Sequence, residues 1–279
     1  MKPQFQHKLA TSYMLWFENF LMKKAEAYSI QTGSFFHYVD DRLPDEYEVF
    51  GSNYKQMLYD SSLPNVSVPS GLYVDDQFVE FNNQDKIFDF DNGRFISSGI
   101  PTGSLITGEF TVKNISVYYT NDTEEGIVLN VQEQINTSVQ NKHEFYSAQD
   151  QKLPAIYLSN QSMQNEPFAF GGLNETITKA KAVVIANNSY DLDCILSVFG
   201  DSYTEVIPLC DFDSHPINEV GYLKTGYYSY EDIKSKYSEK IFVKDVRTAK
   251  LTDKLKQNLL KDLYIGFIDF DLSMYRYRS

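Results

Sequence analysis

Lys179–Phe212 reads KAKAVVIANNSYDLDCILSVFGDSYTEVIPLCDF, and the rest of the fold follows from it. Ala182-Val-Val-Ile-Ala186 is a continuous apolar, β-branched run, the pattern of a strand buried on both faces. Asn187-Asn188-Ser189 supplies side-chain oxygens that satisfy free N–H groups at a helix start. Leu192, Ile195, Leu196 and Phe199 follow at helical spacing, and Gly200 stands where a C-cap glycine belongs. Val206-Ile-Pro-Leu209 is a second apolar strand, its proline marking an edge or a strand end. The stretch predicts strand, helix and strand, with Val184, Ile185, Ile195, Leu196 and Phe199 buried together.

Outward from this unit, composition sets the class. A chain of 279 residues with 42% hydrophobic and 15% aromatic content can fill a core in one large domain or two ordinary ones. Twenty Phe and 21 Tyr against a single Trp favour strands. No apolar run reaches the ~20 residues that span a bilayer, and MKPQFQHKLA lacks the apolar core of a signal peptide. The expectation is therefore a protein folded in a cytosol, without membrane association. Cys194 and Cys210 have no metal-binding spacing and are expected to be buried thiols. A net charge of −13 opposes nucleic-acid wrapping. The charge is uneven: residues 241–279 carry eight Lys/Arg against five Asp.

Residues 4–28 form one long helical pattern, with Phe5, Leu9, Tyr13, Trp16, Phe17, Phe20 and Leu21 at three- and four-residue steps. Gly33–Pro69 has no sustained periodicity and predicts a long excursion with short helical turns, a candidate for contacts with other chains. Residues 71–120 are the clearest β region. Ile87–Asp91 and Arg94–Ser98 flank Asn92-Gly93, a hairpin signal because both residues tolerate positive φ. Leu105–Thr120 is a long run that bends at Gly108 or Asn114, and Gly126–Gln134 predicts a further strand. Asn136–Lys152 is a polar linker, Pro154–Leu158 a short strand, and Glu166–Gly172 an aromatic loop. Val220–Ser235 reads as a loop, Ile241–Leu251 as a strand, Leu251–Leu260 as a basic helix and Leu263–Tyr275 as a half-buried strand.

The fold class predicted is α+β: a long N-terminal helix, an antiparallel β-rich region, and a C-terminal mixed sheet built on the strand–helix–strand unit. The divisions are 1–64 (helix and extended contact segment), 65–135 (β-rich), 136–153 (linker) and 154–279 (α/β).

Several acidic pairs look like metal or catalytic ligands, Asp89/Asp91, Asp191/Asp193 and Asp269/Asp271, since spacing of two on a strand puts both carboxylates on one face, and Asp211/Asp213/His215 is the best approach to a hard-cation site. Acids this abundant make such pairs by chance, and Asp also shapes turns. No metal and no cofactor is predicted. The chain has no G-x-S-x-G, H-E-x-x-H or P-loop, so no catalytic residue is assigned. Aromatic and Arg side chains concentrate at interface centres. Phe168 and Phe170, with Tyr275 and Arg276 near the C-terminus and the basic Lys254 and Lys256, are the candidate subunit-interface residues. Phe168 and Phe170 read equally well as a cap on the core of the central sheet.

Three stretches, Leu15-Trp-Phe-Glu-Asn-Phe20, FDFDNGRF (88–95) continuing to ITGEFTVKNISVYYT (106–120), and NEPFAFGG (165–172) followed by NNSYDLDCILSVFGD (187–201), together resemble virion structural proteins of tailed bacteriophages of the T4-like marine type. The resemblance implies a subunit of the neck, a tail terminator or a tail-completion ring, assembled in the host cytoplasm. Its partners would be further copies in a ring and adjacent neck or tail proteins, with DNA passing through without specific binding. A β-rich receptor- or glycan-binding module of a tail tip or capsid surface is the alternative, and a glycan hydrolase comes third. In a ring, the basic C-terminal surface would meet an acidic one next door, with Lys254, Lys256 and Arg276 near the boundary.

Overall fold

The computed structural model describes residues 5–44, 46–82, 84–131, 153–169, 172–211, 213, 215–217, 223–224, 226–251 and 263–277. The chain is mixed α+β and divides into two compact units. The first comprises Met1–Glu26, Ile115–Cys210 and Lys234–Ser279, and the second Ala27–Asn114 and Asp211–Ile233. The predicted linker at 136–153, apart from its last residue, and the predicted helix at 251–260, apart from its first, lie outside the described residues.

The first unit is built on a six-stranded mixed sheet. Its strands are β8 (Ser116–Tyr119), β9 (Ala155–Ala169), β10 (Leu173–Ala186), β11 (Val206–Pro208), β12 (Lys240–Lys250) and β13 (Tyr264–Tyr277), in the order β11-β12-β13-β10-β9-β8. Only the β8–β9 pair is parallel. The apolar run at the end of β10 is buried on both faces, as its continuous pattern requires. Val184 opposes Gly266, where an added Cβ would lie 2.8 Å from Leu192 and 3.1 Å from Leu196. That face carries helices α1 (Phe5–Ala25) and α3 (Ser189–Gly200), whose rings interlock: Phe17 stacks on Phe199 at 4.0 Å, and Tyr13, Trp16 and Phe17 all meet Phe270 edge-on. Ile185 departs from the expected cluster. It points through the sheet to the other face, with Ile127, Val131, Tyr157, Val183 and Ile265. Adjacent strand residues face opposite ways, so Val184 and Ile185 cannot share a layer.

Asn188 caps α3 as its position predicts, its Oδ1 accepting from Asp191 N–H at 2.8 Å. Gly200, in contrast, is simply the last helical residue. The helix is closed by Asp201 and by Ser202, whose Oγ donates to the Phe199 carbonyl at 2.7 Å, and the left-handed residue is Thr204. The predicted strand over 126–134 is a helix across residues 124–131 (α2). Thr123 starts it, with Oγ1 accepting from Gly126 N–H at 3.2 Å and its carbonyl from Ile127 N–H at 2.9 Å. Ile127 and Val131, four apart, then bury one face. The unit's core thus uses the helical spacing of these β-branched residues and overrides their strand propensity. Cys210 is buried and Cys194 half-buried, and both are free thiols.

The second unit is a seven-stranded antiparallel sheet. Its strands are β1 (Tyr28–Tyr38), β2 (Tyr47–Ser52), β3 (Gly71–Val74), β4 (Gln77–Glu80), β5 (Lys86–Asp89), β6 (Arg94–Ser98) and β7 (Ile106–Lys113), in the order β4-β3-β7-β1-β2-β6-β5. The predicted excursion over 33–69 is corrected here: β1 and β2 lie inside the sheet, paired as Phe35↔Ser52 to Tyr38↔Val49. Neither strand shows a clean alternation: the adjacent Val49 and Phe50 are both buried, on opposite faces, while Ile30 and Phe36 are exposed on the same strand as the buried Phe35. The β5–β6 hairpin forms as predicted, with only Gly93 at positive φ (62°). A second hairpin, β3–β4, turns on Asp75-Asp76, both at positive φ, which short polar side chains tolerate. The 105–120 run breaks at Asn114, whose N–H donates to the Ala27 carbonyl, and its two halves join different sheets. The predicted loop over 220–235 contains the start of a short helix, α4 (Tyr230–Lys236). The Asp60 carboxylate accepts from the Tyr230 N–H at 3.0 Å at its first residue.

Candidate interaction surface

β9, β10 and β13 are the long strands of the first unit's sheet, of 15, 14 and 14 residues. The predicted short strand at 154–158 is only the buried start of β9, which is exposed along most of its length from Gln161 to Ala169. The predicted aromatic loop is instead the end of this β ribbon. Pro167 pairs with Asn174 and Ala169 with Leu173, so Phe168 is the extra residue at a register shift. A bulge of this kind re-aims one side chain. Phe168 is turned towards Tyr275, with ring centroids 4.6 Å apart. Phe242, opposite Ser273 on β12, lies 6.5 Å from the same Tyr275 ring. Phe168, Tyr275 and Phe242 are 56%, 42% and 40% exposed, a contiguous aromatic surface on a rigid sheet.

The Glu175 carboxylate sits on the Tyr275 face, opposite that residue on β10. It accepts from Lys244 Nζ at 2.8 Å and from the buried Ser273 hydroxyl at 2.7 Å. The Lys244 hydrogen bond, then that of Ser273, holds Glu175 below the usual carboxylate range. Lys244 is half exposed, so the ion pair is screened while the Ser273 contact is not. A depressed carboxyl contributes stability above its unfolded pKa of ~4.3 and loses it as pH falls through the folded value. The gap in thermal midpoint between wild type and Glu175→Gln should therefore be largest above pH ~5 and shrink on acidification. A gap independent of pH would assign the effect to packing alone.

Of the predicted interface residues, the structure brings Phe168 and Tyr275 together. Arg276 lies on the opposite face. Its Nε donates to Thr176 Oγ1 at 2.8 Å, its Nη2 to Asn165 Oδ1 at 3.3 Å, and its guanidinium stacks 3.9 Å from the Phe5 ring. Phe170, Lys254 and Lys256 lie outside the described residues. Phe242, Glu175, Lys244 and Ser273 were missed. Their signal was the alternation of Phe242 with Lys240 and Lys244 along β12, which places aromatic and cation on one face.

Four of the paired acids are engaged by cations or amides. Asp89 accepts from Arg94 at 2.6 Å and from Asn92 at 2.8 Å, Asp193 pairs with Lys250, Asp269 with Lys181, and Asp271 with Arg247. His215 Nδ1 accepts from the Ile217 N–H at 3.2 Å. Among the described residues no three His, Cys, Asp or Glu side chains converge as metal ligands. No helix of the described residues is long and apolar enough to cross a membrane. No protein-family model matches the chain, and no curated protein matches it.

Proposed function

We propose that the chain is a structural subunit of a tailed-phage virion, placed in the neck, terminator or completion ring between head and tail. In this reading the Phe168–Tyr275–Phe242 surface seats a neighbouring subunit, and DNA passes without specific binding. The observation that carries it is this exposed aromatic trio on a β ribbon. Aromatic rings held on rigid elements give large contact area at low entropic cost, as interface centres require. The resemblance of three stretches of the chain to virion structural proteins supplies the context. The acidic balance of −13 fits a bore from which phosphates are weakly repelled.

The test is the size of the assembled species, alone and with neck or tail proteins, and its position in a virion density map. Closed rings that weaken as salt rises are expected, because the complementary rim charges are screened within ~8–10 Å. Phe168→Ala with Tyr275→Ala should weaken assembly at least ~10-fold without unfolding the chain. Rings that tolerate the double substitution would remove the trio from the interface.

A second reading, a glycan- or receptor-binding module, is favoured by one observation in the second unit. Tyr73 and Phe78 oppose each other across β3–β4 with centroids 5.5 Å apart and are 50% and 53% exposed. Such a pair offers a face for a sugar ring. Monomers or trimers that bind glycans and lose binding on Tyr73→Ala would favour it over the ring.

A further inference from the structure

Besides the outer sides of its short terminal strands β11 and β8, the six-stranded sheet leaves two longer stretches of edge with no described strand beside them: β12 beyond Val243 and β9 beyond Asn160. An open edge is a row of N–H and C=O groups ready to pair with another chain, and proteins guard it with charge. The two edges are guarded differently. On β12, residues 244–250 (KDVRTAK) carry Lys244, Asp245, Arg247 and Lys250. On β9, residues 159–165 (SNQSMQN) carry no charge.

The β9 edge is also regular where it is open. A register shift puts a bulge at Gln161, but from Ser162↔Lys179 to Pro167↔Asn174 the pairing with β10 is unbroken. Ser162, Met163 and Gln164 are exposed, and Met163 is an apolar side chain on an otherwise polar edge. Pro167, lacking an N–H, ends the run. The open ladder is therefore short and centred near Gln164.

We propose that this edge pairs antiparallel with the same edge of a second copy. Two chains of charge −13 repel, and an uncharged edge is where they approach without opposed carboxylates. A two-fold axis at Gln164 sets that residue opposite its mate, Met163 opposite Asn165, and Ser162 opposite Glu166. The two Gln164 amides exchange hydrogen bonds, and each Ser162 hydroxyl donates to the facing Glu166 carboxylate. Gln164 Nε2 donates to Glu166 Oε1 at 3.0 Å within one copy, which places the two on one face. The two Glu166 carboxylates then lie four residues apart along the ladder, ~13 Å at ~3.3 Å per residue, beyond the ~8 Å screening length. The contact is isologous, unlike the head-to-tail contact of a ring, and does not depend on where in a virion the chain sits.

Sedimentation equilibrium of the full chain tests it. So short an interface should give a monomer–dimer exchange at ~10–100 µM, with average mass rising from 32.2 kDa towards twice that. With no ion pair in the ladder to be screened and two chains of like charge, dimerisation should not weaken as salt rises. Gln164→Lys sets two ammonium groups opposite each other and should raise the dissociation constant at least ~10-fold, with the thermal midpoint of the monomer unchanged. Gln164→Cys, with diamide as the two-electron oxidant, should give a disulfide-linked dimer that wild type, with only Cys194 and Cys210, does not. A monomer at every concentration, or a dimer that Gln164→Lys leaves unchanged, overturns the proposal. Rings that survive Gln164→Lys leave the ring reading standing. Dimers that persist without rings do the reverse.

Discussion

Replacing Phe199 with Ala should lower the free energy of unfolding by ~3–5 kcal/mol, the range for deleting a buried aromatic ring. Phe199 is fully buried and is the ring on which α3, α1 and the sheet meet: Phe17 stacks on it at 4.0 Å, Phe270 meets it at 5.8 Å, and Trp16 at 6.3 Å. The loss is more than transfer free energy. Sheet and helices hold the cavity walls apart, so the void cannot collapse, and neighbouring rings lose stacking worth ~0.5–1.5 kcal/mol per pair. Urea unfolding monitored by Trp16 fluorescence measures it, because that indole contacts the deleted ring. A loss below ~1 kcal/mol would mean that α1 and the sheet close over the gap, and the rigid aromatic layer is misread.

Gly93→Ala should cost a comparable ~3–5 kcal/mol, through the backbone rather than the core. Gly93 holds φ at +62°, and an added Cβ would lie 1.9 Å from the Tyr54 carbonyl oxygen. A main-chain oxygen cannot swing aside. The turn is also fixed against residues 52–57: Ser52 N–H donates to the Gly93 carbonyl, Gln56 N–H to that of Asp91, and Met57 N–H to that of Phe90. Making room means breaking this ladder. Gly99 isolates the conformational part, since its φ is +82° with nothing within 4 Å of an added Cβ. Gly99→Ala should cost only the ~1–2 kcal/mol of a left-handed L-residue. Chemical denaturation of both variants compares them directly. Equal costs would show that the close approach at Tyr54 carries no weight.

The elements that could be read from the chain are those whose own residues determine them. Ala182–Ala186 is apolar at every position and needs no partner to be read as a doubly buried strand. Asn188 caps α3 through a bond three residues along, and Gly93 is required by its φ. Phe270 and Leu272 alternate with Asp269 and Asp271, so half-burial of β13 follows from period two.

Other features were decided only by packing. Residues 124–131 carry strand-favouring Ile and Val, yet the core accepts Ile127 and Val131 four apart, and the helix wins. β1 and β2 lie inside a seven-stranded sheet because β7 and β6 pair with them, while burial of the adjacent Val49 and Phe50 and exposure of Ile30 and Phe36 break the alternation that would reveal them. The outer half of β9 has no apolar periodicity of its own. It is extended because β10 supplies its hydrogen bonds, a long-range pairing that no local window contains. The candidate surface shares that origin: Phe168, Phe242 and Tyr275 were each visible as aromatics. The bulge and register that bring them together depend on three strands far apart in the chain, which only the folded sheet aligns.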